Sequence, residues 1–134
     1  MNVRLVLDAS ALLAYSRLTS MAVGELIGIV EEEDGESLIG VPAASFLAAH
    51  RALDPDDRDR LVDLATSSDG VTVVLPLLGT DAVEVAELDA HEPGTEGIGH
   101  AIFEANRLSA TLATYQGEAA RRWLADYEVL DLSP

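Results

Sequence analysis

The stretch Val3-Arg4-Leu5-Val6-Leu7-Asp8-Ala9-Ser10-Ala11-Leu12-Leu13-Ala14-Tyr15 changes its period at Asp8. Before Asp8 runs a short Leu- and Val-rich segment of the kind that forms a buried strand; after it, small and apolar residues continue at helical spacing. Strand, carboxylate, helix is the opening of a βα unit, and the rest of the chain repeats that alternation. Ser20 is placed to cap a second helix with Met21, Val23, Ile27 and Val30 on its apolar side, stopped by Asp34-Gly35. Leu38-Ile39-Gly40-Val41 reads as a second buried strand, and Pro42 opens a helix through Phe46, Leu47 and Leu53.

Asp54-Pro55 breaks the chain direction before an amphipathic helix from Asp56 to about Ala65, expected to bury Leu61, Val62, Leu64 and Ala65. The turn Ser67-Ser68-Asp69-Gly70 leads into Val71-Thr72-Val73-Val74-Leu75-Pro76-Leu77, the clearest strand signal of all, ended by Pro76. A helix from Thr80 through Leu88, a loop at His91-Glu92-Pro93-Gly94, a helix from Ile98 to Leu108 and a strand at Ala110 to Thr114 follow. A last helix is expected to carry Ala119, Ala120, Trp123 and Leu124, with Val129-Leu130 as an edge strand. The alternation implies a single α/β domain over residues 1–134, a three-layer α/β/α sandwich around a mostly parallel sheet. In such sheets ligands sit beyond the carboxyl ends of the strands, where Asp8, Val41-Pro42 and Thr114 to Gln116 should converge.

Charge narrows the function. The 24 acidic residues oppose 8 basic ones, every one of them Arg, for a net charge of −16. That repels polyanions, whereas an unaided nucleic-acid binder presents a basic stripe. Only Arg121-Arg122 and the group Arg51, Arg58 and Arg60 offer one. The plainer reading of the acidity is a solubilising surface. With no cysteine there is neither disulfide nor thiolate site, and no apolar run reaches the roughly 20 residues of a membrane helix. The expectation is a soluble, cytoplasmic protein that does not engage a membrane.

The pairing of VLDASALLA (residues 6–14) with IGVPAASFLAAHRAL (residues 39–53) resembles PIN domains, particularly the VapC-type toxins of bacterial toxin–antitoxin pairs. The resemblance covers nearly the whole chain and implies an endoribonuclease fold in which three or four carboxylates hold Mg²⁺ or Mn²⁺. Phosphodiester hydrolysis needs such a cation to offset phosphate charge and generate hydroxide, and Mg²⁺ binds weakly to one carboxylate alone. Carried over position by position, Asp8 matches the family's first acid and Ser10 the small hydroxyl residue two positions on. The second acid falls at Ala48, the third at Gly97 or Ile98 and the fourth at Gln116, none of them acidic. Thr114 matches the Thr that precedes the fourth.

Asp8 is then the one metal-ligand candidate, with Ser10, Thr114 and Gln116 as weak supporting groups. Glu96 and Glu118 are displaced substitutes that join Asp8 in catalysis only if activity survives. The simpler role for Asp8 is to cap the first helix, and for Glu96 to favour a helix N-terminus. His50, His91 and His100 invite a zinc or general-base reading, and His100 with Glu104 has i,i+4 spacing, but two ligands are not a site. Ser45 lacks a nucleophile elbow, and Gly97-Ile98-Gly99 lacks the third glycine of a dinucleotide fingerprint. The expectation is a non-catalytic PIN-like module, without cofactor, acting through protein binding or self-association. A homodimer is the analogy from the family, and an antitoxin-like protein the other partner class. The competing expectation is an endoribonuclease toxin with a rearranged acidic site, which alone would bring RNA and Mg²⁺ or Mn²⁺.

Overall fold

A computed structural model describes residues 2–33, 35–67, 70–89 and 94–134. In chain order it contains β1 (Asn2–Leu7), α1 (Ala9–Arg17), α2 (Ala22–Glu32), β2 (Ser37–Pro42), α3 (Ala43–Ala52), α4 (Pro55–Thr66) and β3 (Thr72–Leu75). There follow α5 (Ala82–Asp89), α6 (Ile98–Leu108), β4 (Thr111–Thr114), α7 (Gly117–Arg121) and β5 (Val129–Asp131). One sheet of order β3-β2-β1-β4-β5 contains all the strands, and every neighbouring pair is parallel. The architecture is therefore the expected α/β sandwich, with a wholly parallel sheet.

Alternation along the strands builds two cores. Leu5 and Leu7 of β1 and Ile39 and Val41 of β2 point to one face, where Leu12, Val23, Ala49, Leu61 and Leu64 of the first four helices cover them. Val6 and Leu112 point to the other, beneath Ile98, Ala101, Ile102 and Ala105 of α6 and Ala120 of α7. Burial on both faces is why these strands read as continuous apolar runs rather than alternating ones.

The strand order locates the crevice. Connections leaving β1 and β2 pack on the first face, and those leaving β3 and β4 on the second. The direction of winding reverses between β1 and β4, and the carboxyl ends of those two strands are Leu7, followed by Asp8, and Thr114. This is the switch point at which open parallel sheets accommodate ligands.

Several elements differ from their sequence signals. The run 71–77 contributes only four strand residues and lies at the sheet edge, because Pro76 has no N–H to donate; Leu77 beyond it is 39% exposed. The last helix ends at Arg121, so Trp123 lies outside it and is half exposed. Val62 and Leu47 face outward because α4 and α3 each bury a narrower stripe than their apolar content allows. Ser20 is not the N-cap of α2, which is Met21, but its hydroxyl one position earlier accepts from Ala22 N at 3.2 Å. The expected stop at Asp34, the turn at 68–69 and the loop at 91–93 lie outside the described residues. No single helix among the described residues is long and apolar enough to cross a membrane.

Candidate functional site

Asp8 leaves β1 with extended backbone and becomes the N-cap of α1. Its Oδ1 accepts from Ala11 N at 2.9 Å and from the Ser10 hydroxyl at 2.6 Å, and its Oδ2 accepts from the Thr114 hydroxyl. Those two hydroxyls are themselves held: Ser10 Oγ accepts from Tyr115 N at 2.9 Å and Thr114 Oγ1 from Gln116 N at 2.8 Å. The carboxylate thus ties the end of β1, the start of α1 and the end of β4 into one closed network. It is 1% exposed, and burial raises its pKa above the ordinary carboxylate range despite the lowering pull of Ser10, Thr114 and Ala11. The simpler of its two sequence readings, the helix cap, is fully realised in the geometry.

Beside Asp8 lies a cavity of about 140 Å³, lined among others by Ser10, Ala48, Glu96, Ile98 and Gln116. The positions that the PIN resemblance assigns to a metal site are therefore neighbours in space, although only Asp8 among them is acidic. At position 97 there is no room for any side chain. The φ of Gly97 is +87°, and a Cβ added to it would stand 2.9 Å from Ala48 Cβ and 3.1 Å from Ala9 Cβ. The Ser45 hydroxyl, buried on the same face of α3, donates to the Gly97 carbonyl and holds the segment down. The segment before α6 has closed onto α3 across the two positions where further carboxylates would be needed. In the sequence Ser45 reads only as a nucleophile, for which it lacks the elbow; the signal for its actual role is its place three residues before Ala48, hence on the same helical face.

Glu96 is exposed on the rim of this cavity and accepts from Gly94 N at 3.3 Å. The cap at the start of α6 comes instead from Asp89 at the end of α5, whose Oδ1 accepts from Gly99 N at 2.7 Å. Glu118 is exposed on α7 and does not line the cavity. No group of three or more His, Asp or Glu side chains with metal-holding geometry occurs among the described residues. The residues present do not fit a divalent ion. Asp8 has both oxygens committed and its charged form disfavoured, and Glu96 is a single solvated acid.

His50 and His100 serve the fold. His100 is 1% exposed, and its Nδ1 accepts from Ala44 N at 3.1 Å, capping an α3 whose own N-cap, Pro42, offers no side-chain acceptor. Burial pushes its pKa below the ordinary imidazole range, which suits a ring that must accept through Nδ1. Its Nε2 lies 3.8 Å from Glu104, whose carboxylate is gripped by Arg107 at 2.6 and 3.2 Å. His50 stacks on Phe46, with ring centroids 5.8 Å apart. His91 lies outside the described residues.

Several arginines are likewise spent internally. Arg58 donates to the His50 carbonyl at 2.8 Å and Arg17 to the Ala52 carbonyl at 3.1 Å, both at the end of α3. Arg60 donates to the Ser16 carbonyl near the end of α1 and to Asp57. Arg121 bridges Asp126 and Asp131. Cations at helix C-termini answer the dipole and the orphan carbonyls, and Arg58, Arg60 and Arg121 of the expected basic stripe are already engaged.

A scan against protein-family models and a search of curated proteins both return no match for this chain.

Proposed function

We propose that this chain is a cytoplasmic PIN-like domain, related to the VapC-type toxins, whose metal site has been lost and which acts by binding protein, either an antitoxin-like partner or its own copy. The observation that carries the reading is the pairing of Asp8 with Gly97. The retained acid is consumed by Ser10, Thr114 and Ala11, and the segment that should supply another ligand is packed against Ala48 and Ala9. The family's chemistry needs several charged carboxylates converging on one point, and here one buried acid and one rim glutamate are the only acids lining the cavity among the described residues. The internal engagement of Arg17, Arg58, Arg60 and Arg121 and the net charge of −16 further support a protein rather than RNA as partner.

One feature favours a second reading. Glu96 lines the same cavity as Asp8, so a Mg²⁺- or Mn²⁺-dependent endoribonuclease built on Asp8, Glu96 and Glu118 has two of its acids nearby. The place of Glu118 outside that cavity weighs against it. Calorimetric titration of Mn²⁺ into the wild type and Asp8→Asn, with both incubated on structured RNA, decides between the two. The proposal expects no saturable heat below millimolar Mn²⁺ and intact RNA from both proteins. Mn²⁺-dependent cleavage that disappears in Asp8→Asn overturns it.

A further inference from the structure

The start of α3 is tied to the start of α6 by two side chains. The Ser45 hydroxyl donates to the Gly97 carbonyl, and Ala44 N donates to His100 Nδ1 at 3.1 Å. The second bond serves as an N-cap, because Pro42 in the cap position has no side-chain acceptor to offer the first turn. Accepting through Nδ1 fixes the ring as the neutral tautomer with its proton on Nε2. Nε2 is buried without a hydrogen-bond partner among the described residues, 3.8 Å from Glu104 Oε1. The same two helices wall the Asp8 cavity, α3 with Ala48 and Ala52 and α6 with Ile98.

A cationic imidazole has two donors and no acceptor, so a proton on Nδ1 sets donor against donor at Ala44. Burial is the largest influence on the ring and disfavours its charge, while Glu104, the Pro76 carbonyl and Asp81 just before α5 favour it and Arg107 opposes it. The other ionisable groups of the elements packed on α6 lie elsewhere. β2 and β4 carry none, Arg4 of β1 pairs with Glu33, and His50 and Arg51 stand in the last turn of α3. On α5, Glu84 and Glu87 are exposed and Asp89 is taken up by Gly99 N.

We propose that His100 is a proton-operated latch: gaining a proton on Nδ1 turns it from acceptor to donor, releases Ala44, and lets the first turns of α3 leave α6, opening the wall of the Asp8 crevice. The sign follows from linkage. The closed ring holds a proton more weakly than a released one, whose ordinary value is 6.5. Closure is therefore at full strength above that value and weakens as pH falls below it, toward the closed-state value. The inference goes beyond the reading of the crevice as a lost metal site: it concerns the joint that closes the crevice, and it is tested without metal, RNA or partner.

The test is amide hydrogen exchange by NMR on the full chain from about pH 7.5 to about pH 5, with each rate divided by its intrinsic value so that the pH dependence of exchange itself drops out. Protection at Ala44, and at Leu47 and Ala48 in the next turn, should fall about tenfold for each pH unit below 6.5 until the closed ring itself titrates, while Leu112 in β4 holds. In His100→Asn, whose Oδ1 can take the place of Nδ1 but cannot be protonated, the fall should vanish. Should that variant not fold, the double variant His50→Asn with His91→Asn decides, because it leaves His100 as the one imidazole of the chain and must keep the fall. Asp8→Asn must keep it too, which separates the latch from the state of the crevice acid. Protection at Ala44 that stays flat across the range, an equal fall at Leu112, a fall that survives in His100→Asn, or one lost in the double variant or in Asp8→Asn would each overturn the proposal.

Discussion

Leu18 ends α1 with φ of +59° and is 67% exposed, while its N–H satisfies the carbonyls of Ala14 and Tyr15. A left-handed C-cap costs a β-carbon-bearing residue on the order of 1 kcal/mol relative to glycine, and Leu18 recovers little of it by burial. Leu18→Gly should therefore raise stability by about 1 kcal/mol, seen as a higher urea midpoint at unchanged m-value. Asp8 makes the opposite kind of compromise. Its pKa is raised in the fold above the unfolded value of 3.8, so the fold binds its proton more tightly than the unfolded chain does. Its contribution is complete below the unfolded value and is lost as pH rises through the folded one. Asp8→Asn keeps an oxygen for Ala11 and Ser10 but has no proton to lose. The variant should gain stability relative to wild type as pH rises from below the unfolded value of 3.8 toward neutrality, measured by urea unfolding at both ends; the reverse trend would mean that the charged form is favoured. The identity of Asp8 was legible from the end of its strand, but its committed state was not, because Thr114 lies 106 positions away in the chain.

At the scale of elements, the segment before α6 and the helix α3 determine what the crevice can hold. Gly97 stands where its positive φ and the closeness of Ala48 and Ala9 both exclude a side chain. Gly97→Ala should cost about 2 kcal/mol or more in chemical denaturation, from strain plus overpacking, whereas Gly24→Ala, on α2 with open space around it, should be neutral or stabilising. Equal responses at the two glycines would remove the packing argument. The sequence marked the helices, strands and their order because periodicity is local. It missed that Asp89 rather than Glu96 caps α6, and that β3 is an edge, because capping partners and strand neighbours are chosen across the fold. The strongest local strand signal, at 71–77, thus proved to be the least enclosed of the apolar strands.

Taken whole, the molecule is a neutral core inside a strongly acidic shell. With most of the eight arginines bound to helix carbonyls or single carboxylates, much of the acidic surface lacks a cation partner and repels itself. Raising ionic strength shortens the Debye length to about 3 Å at 1 M and should raise the thermal midpoint of the monomer, with most of the gain below about 0.2 M. A midpoint that falls with NaCl would show that the ion pairs, rather than the repulsion, dominate.

The sequence by itself determined the class of the fold, the order of its elements, the acidity of its surface and the place of Asp8 at the mouth of the sheet. Each of these depends on residue type and spacing along a short stretch of chain. Only the tertiary structure decided that Ala48, Ile98 and Gln116 meet around one small cavity, that most of the arginines are engaged, and which strands form the sheet edges. Those follow from the strand order β3-β2-β1-β4-β5, which brings residues a hundred positions apart to one switch point and leaves β3 with a neighbour on one side only.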